Sequence, residues 1–130
     1  MTSDTNTSRF EYEEKRQQVA DIEMMIADFT RLANDLDHQI KVEQQASGIS
    51  DVSHYAYPTF ARAAIARRDN LRSSIAGLEE RLGSARNELA DAYEQLKIAE
   101  SAGGLEAQRQ VKSGGRKRPQ RGIGAFSGGR

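Results

Sequence analysis

From Val19 the apolar residues of this chain fall alternately three and four positions apart, as Val19, Ile22, Ile26, Phe29, Ala33, Leu36 and Ile40. The second half repeats the pattern more strictly through Leu71, Ile75, Leu78, Leu82, Ala85, Leu89, Ala92, Leu96 and Ala99. An average spacing of about 3.5 residues is the period of a coiled-coil seam, and it commits both halves to long helices. Alanine, glutamate, arginine, glutamine, leucine and isoleucine dominate residues 9–100, where Pro58 is the only proline, so composition supports the same reading. With 6% aromatic residues and no Trp among 130 residues, the chain lacks the bulky side chains that a layered globular core requires.

The two seams are separated by QASGISDVS, in which Gly48 is an end signal for the first helix and Asp51 or Ser53 a start signal for the second. A short connection between long helices forces them antiparallel. The predicted fold is therefore all-α, an antiparallel two-helix coiled-coil hairpin with a helix over 9–47, a loop over 48–56 and a helix over 57–100, preceded by a disordered 1–8. Folding near Val52 sets opposite each other those positions whose numbers sum to about 104, which matches the seams throughout. Ala33 then faces Leu71, Phe29 faces Ile75, Ile26 faces Leu78, Ile22 faces Leu82 and Val19 faces Ala85. The same register sets Asp37 against Arg67 and lays Leu36 beside the aliphatic stem of Arg68, whose guanidinium can still reach water. The expected product is a slender rod with a thin core.

Charge divides the chain. Residues 1–100 hold 12 Lys and Arg against 18 Asp and Glu, whereas residues 101–130 hold 7 against 1. The latter segment also holds eight of the eleven glycines, and SGGRKRPQRGIGAFSGGR has neither a helical nor a strand period, which predicts a disordered basic Gly/Arg-rich tail over 101–130. Arg116, Lys117, Arg118 and Arg121 are its candidate polyanion contacts, but Phe126 is its only base-stacking residue, so nucleic acid is not the expected partner.

Little in the chain suggests catalysis. There are no cysteines, which removes disulfides, thiolate metal sites and thiol nucleophiles. His38 and His54 form no metal-binding pair, and acidic pairs such as Glu79 with Glu80 read as solvated coiled-coil faces. GxxxxGK[ST] is absent. No catalytic residue, metal site, cofactor or small-molecule substrate is expected, and the chain reads as a non-enzyme. No apolar run approaches the roughly 20 residues that cross a bilayer, and the N-terminal MTSDTNTSRF lacks a signal-peptide pattern, so a cytoplasmic location is expected.

Two features suggest protein contacts instead. Met25 and Leu32 stand one position before seam residues of the first helix, either broadening the hairpin core or forming a docking ridge for another helix. HYAYPTF, residues 54–60, gathers three aromatics beside the basic residues Arg62, Arg67 and Arg68. Tyr57 and Phe60 can cap the closed end of the seam; alternatively Tyr55, Tyr57 and Phe60 form a knob for a partner, with the arginines steering an acidic surface toward it. Pro58 fits the first helical turn, where its missing N–H is harmless.

The stretches VADIEMMIADFTRLANDLDHQI and GISDVSHYAYPTFARAAIARRDNLRSSIAGLEERLGSARNELADAYEQLKIAE resemble the FliJ family of flagellar export proteins in its alphaproteobacterial form. AYPTFARAAIARRDNL is the distinctive part; LEERL and EQLK occur in any coiled coil. The resemblance implies a non-enzymatic coiled-coil stalk of the flagellar type III export apparatus, lying in the cytoplasm at the inner-membrane base of the flagellum. It implies the export ATPase, the cytoplasmic domain of the export gate and export chaperones as partners. After Glu100 the chain departs from the family pattern, in which charged, helix-favouring residues usually continue the second helix. The alternative to this reading is a generic coiled-coil adaptor whose basic tail binds nucleic acid, and a further one is a chaperone that masks an amphipathic helix of its cargo.

Overall fold

The computed structural model describes residues 2–117, with side chains described for residues 4–104. Two helices, α1 (Thr2–Ser47) and α2 (Thr59–Lys117), pack against each other, and the described residues contain no strand. The all-α hairpin expected from the heptad spacing is the observed architecture. The chain comprises two compact units, Lys15–Glu88, and Met1–Glu14 with Leu89–Arg130.

In the Lys15–Glu88 unit the predicted seam is the core. Val19, Ile22, Ala33, Leu36 and Ile40 of α1 are buried, as are Ala61, Ala64, Leu78 and Ala85 of α2. Ile26, Phe29, Leu71, Ile75 and Leu82, also on the seam, are half-buried. Leu36, Ile40 and Ala64 form a cluster against which Ile65 and Leu71 pack. Lys15 Nζ lies 2.8 Å from Glu88, as the derived register sets them, and Arg86 reaches diagonally along the seam to Glu23 at 2.9 Å.

One pairing differs from the expectation. Asp37 meets not Arg67 but Arg68, at 2.7 Å, and Arg72, at 2.6 Å. Arg68 holds a seam position and is only half-buried, so its stem lies over the core while its guanidinium turns out to the carboxylate. The hydrogen bond that Arg68 donates to Asp37 raises the pKa of its guanidinium above the ordinary value. Arg67, one position along, points away from Asp37's side of the seam.

In the other unit α1 begins at Thr2, so the disorder expected over residues 1–8 is corrected from Thr2 onward. The heptad spacing continues through Tyr12, Ser8 and Thr5, all half-buried. Thr5 Oγ1 donates to the Ala99 carbonyl at 3.4 Å, Arg9 lies 3.5 Å from Glu100, and the Tyr12 and Tyr93 rings stand 5.8 Å apart. Ala92 and Leu96 are buried there. Polar seam residues hid this stretch from a search for apolar periodicity. The second helix is likewise longer than expected, continuing to Lys117 rather than ending at Glu100. LEAQRQVK, residues 105–112, consists almost entirely of good helix formers and carries the backbone past Gly103 and Gly104. The remainder of the expected disordered tail, residues 118–130, lies outside the described residues.

The connection spans residues 48–58. Gly48 ends α1 as expected, at φ 74°, with its N–H donating to the Gln44 carbonyl at 2.9 Å. Asp51 and Ser53, anticipated as helix starters, instead build a turn. The Ser53 N–H and hydroxyl donate to Asp51 Oδ1 at 3.0 and 2.8 Å, and the His54 N–H reaches the Asp51 carbonyl at 3.0 Å. His54 Nδ1 then accepts from the Ala56 N–H at 3.0 Å, and the His54 carbonyl accepts from the Tyr57 N–H at 3.0 Å. Pro58 sits one place before its expected position, as the N-cap of α2, its carbonyl accepting from the Arg62 N–H at 3.1 Å.

The Ser53 hydroxyl and N–H hold the Asp51 carboxyl below the usual carboxylate value. A depressed carboxyl contributes order above its unperturbed pKa and loses it as pH falls through the lowered one. The Ser53 amide resonance is therefore expected to titrate only below the usual carboxylate range. Substitution Asp51→Asn should abolish that titration, and an inflection at the unperturbed value would contradict the turn.

Candidate partner-binding surfaces

The aromatic residues of the closed end separate into two kinds. Tyr57 is 3% exposed; its hydroxyl accepts from Gln44 Nε2 at 2.8 Å, and the Arg62 guanidinium lies 5.5 Å from its ring centre. Ala61, in the first turn of α2, has no exposed surface. Tyr57 is thus a cap, and it is withdrawn from the candidate knob because a ring committed to the core cannot also meet a partner. Phe60, expected to help cap the seam, is 56% exposed, since at the start of α2 it projects to the side of the hairpin. Tyr55 is 94% exposed and stacks on His54, with ring centres 4.8 Å apart. These two aromatics, with Val52 at 40% exposure, form the accessible apolar surface of the closed end.

The candidate arginines also part company. Arg62 leans on Tyr57 and Arg68 is bound to Asp37 and Asp69. Arg67 is exposed and has no ion-pair partner among the described residues.

Met25 and Leu32 are partly exposed, at 37% and 38%. They lie on one edge of the hairpin in the Lys15–Glu88 unit. A shallow groove of about 650 Å³ fixes that edge: Gln18 and Met25 on α1 and Arg81, Ser84 and Glu88 on α2 all line it. Leu32 follows Met25 by one heptad, and Arg67 and Phe60 precede Arg81 by two and three heptads, so the same edge carries them toward the closed end. Lys15 pairs with Glu88 across this edge, and the opposite edge carries the ion pairs Glu23 with Arg86 and Asp37 with Arg72. Arg81 was absent from the sequence-derived candidates. Its spacing of two heptads from Arg67 was the available signal, but its lack of a partner is visible only once the register is known.

Of the polyanion candidates, Arg116 and Lys117 fall in the last turn of α2, whereas Arg118 and Arg121 lie outside the described residues. Among the described residues, no group of His, Asp and Glu side chains is arranged to hold a metal ion, and no helix is long and apolar enough to cross a membrane. No protein family matches the chain, and neither a curated protein nor a solved structure is significantly similar to it.

Proposed function

We infer that this protein is a non-enzymatic coiled-coil component of the flagellar type III export apparatus, linking the export ATPase to the cytoplasmic domain of the export gate and assisting export chaperones at the cytoplasmic base of the flagellum. The observation that carries the reading is the hairpin itself. The stretches that resemble the FliJ family form two mutually packed helices whose polar faces offer protein contacts rather than a dry reactive cleft. AYPTFARAAIARRDNL, the most distinctive of those stretches, covers the cap and the accessible side of the closed end.

Deleting the gene from a flagellated host is expected to abolish filaments and swimming, with both restored by the wild-type chain. Complementation with Tyr55→Ala/Phe60→Ala is expected to reduce swimming markedly while leaving the melting temperature of the purified protein within about 2 °C, because exposed side chains contribute little to stability. Normal filaments in the deletion strain would refute the export reading. Normal swimming with the double variant would remove the closed end from the mechanism.

A further inference from the structure

We propose that the far end of α2 binds the surface of an anionic phospholipid bilayer, through the basic residues Arg109, Lys112 and Arg116 and the apolar residues Ile98 and Leu105. The proposal goes beyond the export reading and does not depend on it.

At this end α2 outruns its partner helix. Thr5 Oγ1 donates to the Ala99 carbonyl at 3.4 Å and stands beside Gly103, and α1 begins at Thr2, so the pairing of the two helices stops close to there. The helix nonetheless continues to Lys117. Two heptad rows run along it, Ile98, Leu105 and Lys112 in one and Ala102, Arg109 and Arg116 in the next. Positions three and four apart share a helix face, so the two rows are neighbours. Ile98 is 59% exposed, which places the start of this face off the buried seam. Each row passes from apolar to basic.

Charge points to an anionic surface. Residues 107–130 contain seven Lys and Arg and no Asp or Glu, whereas residues 1–100 hold 18 acidic residues against 12 basic. Such a surface attracts this end of the chain and repels the rest of it. A cluster of about four to eight Lys and Arg is the usual size for recognition of acidic lipid. Nucleic acid also presents phosphates, and the apolar residues separate the two ligands. Single strands are held by stacking on aromatic rings, and residues 101–130 contain one, Phe126. Ile98 and Leu105 gain nothing from a phosphodiester backbone, but apolar residues beside basic ones are stabilised where headgroups meet acyl chains. The contact is with the bilayer surface, since no helix among the described residues is long and apolar enough to cross it.

Cosedimentation of the full-length protein with vesicles tests this. Vesicles of phosphatidylcholine with about one-third phosphatidylglycerol are expected to bind it, pure phosphatidylcholine vesicles are not, and added salt should weaken the binding. Arg109→Glu/Lys112→Glu/Arg116→Glu should weaken it by at least about tenfold, and Ile98→Ser/Leu105→Ser by at least about threefold. Circular dichroism and melting temperature should stay close to wild type for both, since the basic positions lie past the paired stretch and Ile98 is exposed. Absence of binding to the anionic vesicles, equal binding to neutral ones, or binding indifferent to either set of substitutions would overturn the proposal. So would a single-stranded oligonucleotide or a short DNA duplex that displaces the protein from the vesicles and is itself bound through the same three basic residues, because nucleic acid would then be the ligand.

Discussion

Replacing Tyr57 with alanine is expected to destabilise the protein by about 3–5 kcal/mol, the usual range for removing a buried aromatic ring. The residue is 3% exposed, with its hydroxyl on Gln44 of α1 and its ring under Arg62 of α2, so the substitution opens the closed end to water. Tyr57→Phe removes only the hydrogen bond from Gln44 Nε2, 2.8 Å long, and should cost about 1 kcal/mol. Tyr55→Ala, at a side chain 94% exposed, should stay within about 0.5 kcal/mol. Urea denaturation followed by circular dichroism reads all three. Equal midpoints for Tyr55→Ala and Tyr57→Ala would contradict the division of the closed end into a buried cap and an exposed contact surface.

Substitution Ile40→Ala is expected to cost about 2–5 kcal/mol, a large share of the stability of a hairpin whose core is one side chain deep. Ile40 is 4% exposed and belongs to the cluster with Leu36 and Ala64, against which Ile65 and Leu71 pack. Ala64 is already small, and neither it nor the helix backbones can move in to refill the space. Val42, two positions along α1 and 46% exposed, is the control, and Val42→Ala should stay within about 0.5 kcal/mol. Comparable losses at the two positions would mean that α1 presents a different face to α2.

The helical hairpin was legible because its seam is written in apolar residues at heptad spacing, and two such seams joined by a short connection admit one antiparallel alignment. Gly48 marked the end of α1 for a backbone reason, the left-handed conformation at φ 74°. Legibility failed where the seam is not apolar. Thr5, Ser8 and Lys15 hold seam positions, and α1 therefore starts earlier than hydrophobic periodicity indicates. Asp51 and Ser53 misled for a related reason, since the side-chain oxygens that cap helices also close turns within a loop.

By itself the sequence determined that residues 9–47 and the bulk of the second half are helical, that the helices pair antiparallel, and which faces meet, because hydrophobic spacing is a one-dimensional pattern that encodes which helix face is buried. Only the tertiary structure decided which member of an aromatic cluster is committed to the core and which arginines Asp37 holds. Those outcomes depend on side-chain direction and on what stands across the seam, and residues adjacent in sequence point about 100° apart around a helix. Arg67 and Arg68 are alike in chemistry, and their roles diverge through that rotation alone, whereas Tyr57 is set in the connection ahead of α2 and Phe60 on the helix itself.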